Sequence, residues 1–333
     1  MIRLSVLVAL FAGLTACDEQ DLPPPDVAAS AWRLGRPVPR QVRDAGVTTY
    51  VQQVIVAGGV DAAGQVSTEV DAYDVSGDTW RTLAPLPAAW TDPNLAAVGD
   101  TMYVLGGLDG AGQAHAEGAR FDAVGQHWVS VSSMDPADAR AGAGVVATTG
   151  HVFVLGGRSA TAPLASCLEY DLVTDSWLHL PDLPEPRAYP AVMRQTDGAL
   201  VVAGGFASVD RSAPRAEIWV LPPAGSANRV WQARAPLRAT NDPDVRGDCA
   251  YATVLSNLTC AGGASSAGAS RAVDIYDPYL DERVVGEPMP VARVETQGTA
   301  QANRLFVPGG AETVDGPPTD TMLIYDPLSM EAR

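Results

Sequence analysis

Residues 152–177, VFVLGGRSATAPLASCLEYDLVTDSW, decide the fold of this chain. An apolar run ends in Gly156-Gly157, a polar loop and a second short run lead to Tyr170-Asp171, and a turn leads to Trp177. Short apolar runs that are separated by turn residues are typical of β-strands. Because the same order of features recurs along the sequence, the segment predicts a repeat architecture.

The unit occurs six times, and successive glycine pairs are 48, 50, 48, 58 and 47 residues apart. In each unit an aromatic residue follows the first glycine by 14 to 16 residues, at Tyr73, Phe121, Tyr170, Trp219, Tyr276 and Tyr325. Tryptophan then follows in four units, at Trp80, Trp128, Trp177 and Trp231. The glycine pairs that we expect to hold the repeat together are Gly58-Gly59, Gly106-Gly107, Gly156-Gly157, Gly204-Gly205, Gly262-Gly263 and Gly309-Gly310.

These units resemble kelch repeats, whose pattern is carried most fully by Arg140-Ala141-Gly142, Gly156-Gly157, Tyr170-Asp171 and Trp177. The resemblance covers about residues 32–327. It implies a β-propeller in which each repeat is one four-stranded blade. We therefore expect an all-β fold, a six-bladed kelch-type β-propeller. In the third unit the strands are predicted at about residues 142–148, 151–155, 167–172 and 177–180.

Trp32 predicts how the ring of blades closes. The interval from Trp32 to Gly58 is 26 residues, and the intervals from Trp80, Trp128 and Trp177 to the next glycine pair are 26, 28 and 27. Trp32 thus has the spacing of an outermost-strand tryptophan, although no earlier strands precede it. The last unit lacks that strand. We expect residues 32–35 to complete the last blade, within a propeller domain over 32–333, and so to remove an unpaired sheet edge.

The N-terminal segment differs in composition from the repeats. Residues 1–16 contain a short apolar run that is typical of a secretory signal, too short to span a bilayer. Its ending, Leu14-Thr15-Ala16-Cys17, resembles a bacterial lipobox, which implies cleavage before Cys17 and lipid attachment to that cysteine. Residues 17–31 are acidic and proline-rich and predict a flexible tether. We expect a lipid-anchored protein of the bacterial cell envelope, facing the periplasm or the cell surface; the alternative is an ordinary signal peptide with an incidental cysteine.

Charge and cysteine content limit the partners and the cross-links. The formal net charge of −17, with arginine as the only basic residue besides histidine, argues against nucleic acid and anionic lipid as partners. Cys167, Cys249 and Cys260 remain within the propeller. A hairpin that turns at Ser256-Asn257 places Cys260 opposite Thr253, roughly 13 Å from Cys249 along the strands and too far for a bridge. We expect free, mostly buried thiols.

The sequence predicts neither a metal nor a cofactor. The four histidines, His115, His127, His151 and His179, fall at different places in the repeat and do not converge. Three acidic groups could in principle bind a cation, but hydrogen-bonded turns with glycine or proline explain them better; they are Asp61, Asp109 and the segment containing Asn241, Asp242 and Asp244.

One constellation is a candidate ligand site. An arginine lies 15 to 17 residues before the first glycine in five units, where the chain enters the innermost strand of a blade, and tryptophan takes the place in the second. In kelch propellers this connection lies at the channel mouth, so we expect a ring of guanidinium groups suited to carboxylates, phosphates or sugars. The alternative is structural, with each arginine tying loop carbonyls. The residues are Arg43, Trp90, Arg140, Arg187, Arg246 and Arg293.

The function predicted from these features is a binding module for a protein or glycan partner. The partner would occupy the face formed by the b–c and d–a loops, where strands a to d run from the axis outward. The alternative is a periplasmic sugar epimerase or mutarotase of the kelch type. A deep polar mouth with a carboxylate or a histidine facing an arginine would favour the enzyme, and a broad shallow mouth would favour the binding module.

Overall fold

The computed structural model describes residues 30–239 and 242–330. Six antiparallel four-stranded sheets form the blades of a propeller, and strands a to d of each blade run from the axis outward. In blades 1 to 3 the strands are Gly46–Tyr50, Gln53–Ala57, Val70–Asp74 and Thr79–Thr82; Leu95–Val98, Thr101–Leu108, Ala114–Asp122 and His127–Val131; and Gly144–Ala147, His151–Leu155, Cys167–Asp171 and Ser176–Leu180. The strand ends of blade 3 lie within two residues of the predicted ones.

Blades 4 to 6 follow the same order, and the N-terminal strand supplies strand d of blade 6. Their strands are Ala191–Arg194, Leu200–Ala203, Ile218–Leu221 and Gln232–Arg234; Ala250–Val254, Asn257–Ala261, Val273–Asp277 and Glu282–Val285; and Thr299–Gln301, Arg304–Pro308, Met322–Tyr325 and Trp32–Leu34. Each innermost strand packs against the innermost strands of both neighbouring blades, so the sheets form a closed ring.

Two-residue strands and short 3₁₀ helices lie in the segments that connect the blade strands or follow the last of them. Val42–Arg43 pairs with Val60–Asp61, and Arg246–Gly247 pairs with Ala264–Ser265, which in turn pairs with Gly268–Ala269. Short 3₁₀ helices span Pro136–Asp138 and Pro327–Met330. Within the described residues no helix is long and apolar enough to cross a bilayer.

In blades 1, 2, 3 and 6 an aromatic pair joins the outermost strand to strand c. In blade 3 the rings of Tyr170 and Trp177 lie opposite each other with centroids 4.8 Å apart. The Trp177 indole donates to the Ser132 carbonyl of the preceding blade at 2.8 Å, and the Tyr170 hydroxyl donates to Asp175 in the c–d turn. Large apolar area and a satisfied polar end are thus combined at the junction between blades.

The glycine pairs lie where the backbone of the next blade approaches closely. Gly156 and Gly157 have φ values of 61° and 95°, and a Cβ on Gly156 would lie 2.6 Å from the Arg187 carbonyl oxygen. That carbonyl accepts a hydrogen bond from the Gly157 N–H at 2.7 Å. Only glycine combines left-handed φ with this approach at no steric cost.

The cysteine prediction was wrong, because Cys249 and Cys260 form a disulfide. The hairpin turns at Leu255-Ser256, which have φ of 49° and 68°, so Val254 pairs with Asn257 and Tyr251 pairs with Cys260. Relative to the predicted turn, this register brings Cys260 two residues closer to Cys249, and their Cα atoms are 5.6 Å apart. Cys167 is a free, buried thiol, as expected.

Candidate ligand-binding site

The six d–a connections meet at the axis and form a closed ring of residues on one face. Each ring residue lies two positions after the repeat position that holds arginine in four blades, and each has φ between 50° and 58°. We call these residues the axial ring: Asp44, Asp92, Gly142, Tyr189, Asp248 and Glu295.

Main-chain hydrogen bonds hold the axial ring together. In five steps the N–H of one ring residue donates to the carbonyl of the ring residue in the preceding blade, at 2.7 to 3.2 Å. At the sixth step the Glu295 N–H donates instead to the Asp248 carboxylate, at 3.3 Å. The ring narrows the channel at this face. Beneath it a cavity of about 280 Å³ runs along the innermost strands, among residues such as Thr49, Ala97 and Thr253.

Arg211, from the b–c loop of blade 4, lies across the axial ring. Its guanidinium donates to Asp44 Oδ1 at 3.0 Å and to Asp248 Oδ2 at 2.9 Å, and lies 3.9 Å from Glu295 Oε1. The guanidinium carbon also lies 4.4 Å from the centre of the Tyr189 ring, a cation–π distance. The space left among the ring side chains is about 20 Å³, which is room for one water-sized group.

Two further arginines border the ring. Arg43 Nη1 donates to Asp44 Oδ2 at 2.7 Å and to Glu295 Oε2 at 2.9 Å. On the other side the Tyr189 hydroxyl donates to Asp92 Oδ2 at 3.0 Å and accepts from Arg158 Nη1 at 3.3 Å. Four acidic side chains and three arginines therefore meet at the mouth of the channel.

Burial and mutual repulsion shift the protonation of the carboxyl groups. Burial raises the pKa of Asp248 to about 7, and burial together with the charge of Asp44 raises the pKa of Asp92 well above its usual value. Burial and Asp44 also raise the pKa of Glu295. Burial alone would lower the pKa of Arg211, but the surrounding carboxylates raise it, so this guanidinium stays charged. Near neutral pH the ring contains proton donors beside proton acceptors, an arrangement common at functional sites.

The structure places four of the predicted arginines away from the mouth. Arg140 has no exposed surface; its guanidinium donates to Gly156 O at 3.0 Å and Ser166 O at 2.8 Å and pairs with Asp138 at 2.9 Å. Arg246 contacts the corresponding carbonyls of blade 5, Gly262 O and Ala272 O. These side chains point from the d–a connection into the b–c loop of their own blade, as in the structural alternative.

Arg187 and Arg293 are also buried, but acidic side chains take the place of the two loop carbonyls that Arg140 and Arg246 contact. Arg187 pairs with Glu185 at 3.1 Å and Glu217 at 3.0 Å, and its guanidinium lies 4.3 Å from the centre of the Trp219 ring. Arg293 pairs with Glu312 at 3.3 Å. Because their guanidinium groups are covered, a ring of free guanidinium groups does not line the mouth, and the expectation based on them is corrected.

Arg43 and Trp90 differ from the other four predicted residues. Trp90 is buried, and its indole lies 6.1 Å from the His115 ring under the loop of blade 2. In blade 1 the equivalent of the arginine position is Val42, whose carbonyl accepts from the Gly310 N–H at 2.8 Å. Arg43 is therefore one residue out of register, and for that reason it alone of the six reaches the axial ring.

The acidic turns behave as hydrogen-bonded turns. Asp61 Oδ1 accepts from the N–H groups of Ala63 and Gln65, and Asp109 Oδ1 accepts from those of Ala111 and Gln113. Asp242 accepts from the Asp244 N–H, while Asn241 lies outside the described residues, as does Cys17. Across residues 30–239 and 242–330, no group of three or more His, Cys, Asp or Glu side chains could hold a metal ion.

The axial ring was not predicted from the sequence, although a sequence pattern marks part of it. Arg246-Gly247-Asp248 and Arg293-Val294-Glu295 both place an acidic residue two positions after the repeated arginine. Asp44 and Asp92 occupy the same place in units that lack that arginine. No repeated sequence feature marks Arg211, because it lies in a loop that varies from unit to unit.

The comparisons with known proteins agree with this architecture. Residues 42–87, 89–135 and 139–184 each match the family described as Kelch motif. Three successive units of this chain, which correspond to blades 1 to 3, thus match the kelch motif. It is 25% identical over 206 residues to Beta-scruin of Limulus polyphemus; the match covers 58% of this chain and 21% of that protein, so the chain spans about a fifth of this relative.

A solved structure titled Structure of YjhT has the same fold. It superposes with a TM-score of 0.72 at 17% sequence identity, over 86% of this chain and 95% of the other. At that level of identity the likeness shows the propeller fold alone.

Proposed function

We propose that this protein is a binding module that takes a protein or glycan partner on its b–c/d–a loop face, centred on the axial ring. The observation that carries the proposal is the closed ring with its cluster of carboxyl and guanidinium groups. Main-chain bonds make a rigid floor, and polar side chains of both charges are arranged above it. Rigid elements that hold polar groups in fixed positions favour specific recognition.

The charge of this face indicates the chemistry of the partner. Because four carboxyl groups outnumber three guanidinium groups at the mouth, it favours a hydroxyl-rich or basic partner over an acidic one. Carboxylates accept hydrogen bonds from hydroxyl and ammonium groups, and Arg158 and Arg211 can donate to sugar oxygens. The net charge of −17 acts in the same direction, since it repels polyanions at long range.

A sugar epimerase or mutarotase is the second candidate, and one observation favours it. Asp92 and Asp248, whose pKa values are raised, lie in one cluster with Arg211, so a proton donor and a proton acceptor are available near a fixed positive charge. The space of about 20 Å³ is too small for a sugar ring. This activity therefore requires the space among the ring residues to widen.

The proposed location is the bacterial cell envelope, with the propeller attached through a lipid on Cys17. The support is the sequence of residues 1–31: an apolar run, the Leu14-Thr15-Ala16-Cys17 ending and a proline-rich tether.

The experiment that tests the binding function uses the full chain with Cys17→Ser, which removes the lipid attachment site. It is applied to an array of neutral, amino and acidic glycans and used for affinity capture from an envelope extract. Arg211→Gln and Asp44→Asn should abolish the selected interaction, whereas Val124→Ser on the opposite face should leave it unchanged. An interaction that survives both ring substitutions would contradict the proposal.

The enzyme alternative is decided separately. Exchange of sugar anomers, followed by nuclear magnetic resonance with reducing sugars, should show no acceleration if the protein only binds. Acceleration that is lost in Arg211→Gln would favour the enzyme.

A further inference from the structure

The exposed large apolar side chains of the propeller are concentrated on one face. Twelve such side chains occur among the described residues, and none of them lies on the b–c/d–a loop face. Four lie on outermost strands: Leu34, Leu178, Val284 and Val285. Seven of the other eight lie in the a–b and c–d turns at the opposite face, and Leu328 lies in the 3₁₀ helix that follows strand c of blade 6 at the same face. We call this the turn face, and its residues are Val51, Val124, Val173, Val230, Leu255, Tyr279, Leu280 and Leu328.

In the c–d turns of blades 2 and 3 an apolar residue is at the tip, whereas the corresponding turn of blade 1 has Ser76 there. Asp122 Oδ1 accepts from the Val124 N–H at 2.9 Å, and Asp171 Oδ1 accepts from the Val173 N–H at 2.8 Å. Each carboxylate is drawn back toward the backbone, and the valine projects forward, so Val124 is 97% and Val173 87% exposed.

Loop-face turns of similar construction carry small residues at their tips. The loop held by Asp61 has Ala63 there, and the loop held by Asp109 has Ala111. Exposure of large apolar groups is therefore a property of the turn face and not of tight turns in general.

The chain also leaves the propeller at the turn face. The Asp326 N–H donates to the Ala31 carbonyl at 2.8 Å, and Ser329 Oγ donates to the Ser30 carbonyl at 3.5 Å, beside Leu328. Ser30 thus lies at the level of the c–d turns. The 13 residues from 17 to 29 span at most about 45 Å when extended, so a lipid on Cys17 would hold the turn face within reach of a bilayer.

We infer that the turn face rests on the surface of a neutral lipid bilayer and that the channel mouth points away from it. The inference rests on the proposed lipid attachment. Each tip buries little area by itself, but the tether keeps the effective concentration of the bilayer high. Tyr279 suits the interface because its ring is apolar and its hydroxyl is polar. The acidic residues of the turns select zwitterionic over anionic lipid.

The test uses the full lipidated chain, purified from a bacterial membrane and reconstituted into phosphatidylcholine vesicles that contain a shallow nitroxide lipid. Single cysteines carrying a fluorophore replace Val124 or Val173 on the turn face, and Ala63 or Ala111 on the loop face as matched controls. Native thiols do not interfere, since Cys167 is buried and Cys249 is paired with Cys260. Vesicle flotation reports lipid attachment independently of orientation.

We expect quenching of both turn-face labels that exceeds the quenching of both loop-face labels severalfold. A second variant, Val124→Ser with Val173→Ser and Leu280→Ser, should still float with vesicles, because its lipid is retained, but a label at Val51→Cys should then lose its quenching. Three results would overturn the inference while leaving lipid attachment intact. They are equal quenching on the two faces, stronger quenching on the loop face, and shielding of Val124 from solvent without quenching by the lipid. Failure to float overturns attachment and the inference together, whereas the binding function proposed for the mouth is measured with the lipid-free chain.

Discussion

Trp32 lies directly opposite Tyr325 in the outermost strand pair of the last blade, with their ring centroids 5.0 Å apart. The two residues are 293 positions apart, so this contact joins the beginning of the propeller to its end. The Trp32 indole also donates to the Glu287 carbonyl of the preceding blade at 2.9 Å. One side chain thereby fixes both the last sheet and its junction with blade 5.

Replacing Trp32 should open this junction. We expect Trp32→Ala to lower the free energy of unfolding by about 3–5 kcal/mol, because a buried aromatic side chain and its hydrogen bond are lost. Leu34→Ala on the same strand is the control, since Leu34 is 70% exposed, and should change stability by less than about 0.5 kcal/mol. Urea denaturation followed by tryptophan fluorescence and circular dichroism measures both. Equal effects of the two substitutions would contradict a closing role for Trp32.

Removing Arg140 should destabilise the fold. Its guanidinium is buried with Asp138, Gly156 O and Ser166 O, and Arg140→Ala removes a buried charged donor from all three. Asp138 then keeps only Ser166 Oγ and His179 as partners, and Ser166 O keeps only the Gly156 N–H. The expected loss is about 3–5 kcal/mol. Arg36→Ala is the matched control, because Arg36 and Asp78 form an exposed pair worth at most about 1 kcal/mol. A well-folded Arg140→Ala protein that had lost ligand binding would restore the arginine as a binding residue.

The axial ring should make stability depend on pH. The folded-state pKa values of Asp92 and Asp248 are raised, so ionisation of these two groups opposes folding. The unfolded carboxyl groups titrate near pH 4, and the folded Asp248 titrates near pH 7. The free energy of unfolding should therefore fall as pH rises through this window. A difference of one between the folded and unfolded pKa values corresponds to about 1.4 kcal/mol of stability. Asp92→Asn cannot ionise and should raise stability at pH 8 by at least about 1 kcal/mol while flattening this decline.

The control for the pH experiment has the opposite sign. N–H groups of Gly125 and Val124 lower the pKa of Asp122, so its contribution is present above the unfolded value and is lost as pH falls. Asp122→Asn should therefore change only the acidic limb of the curve. If Asp92→Asn instead destabilises the protein at pH 8, Asp92 is ionised in the folded state.

The disulfide should stabilise blade 5. Cys249 and Cys260 are 11 residues apart, and for a closed loop of that size the loss of chain entropy in the unfolded state predicts about 3 kcal/mol. Thermal unfolding of the unaltered protein should shift downward on addition of a thiol reductant. The Cys249→Ser, Cys260→Ser double variant should start lower and show no further shift. A reductant effect that persists in this variant would place the sensitive group elsewhere.

The repeat made most of the architecture predictable. Diglycines, aromatics and tryptophans recur because each blade must pack in the same way against its neighbours, so their spacing reports the number of blades. Trp32 was informative for the same reason: its distance to Gly58 matches that of Trp80 to Gly106.

The site was less predictable, because it depends on the direction of side chains and on single-residue register. Arg140 is at the predicted point of the chain, but its side chain is turned into its own blade by the carbonyls of Gly156 and Ser166. Arg43 is one position from Val42, the true equivalent, and only the carbonyl contact to Gly310 reveals this. The disulfide was missed because the hairpin turns at Leu255-Ser256, a pair with no glycine to mark it.

Main-chain hydrogen bonds close five of the six steps of the axial ring, so the frame of the ring depends little on which side chains its residues carry. Aspartate, glycine, tyrosine and glutamate all occupy equivalent places in it, and the hydrogen bonds that complete the circle come almost entirely from the peptide groups. The side chain at any of the six places except Asp248, whose carboxylate accepts from the Glu295 N–H, can therefore be exchanged without breaking the ring, at the modest cost of a left-handed backbone. The charges and hydrogen-bonding groups at the centre of this propeller can therefore change while its main-chain frame is preserved.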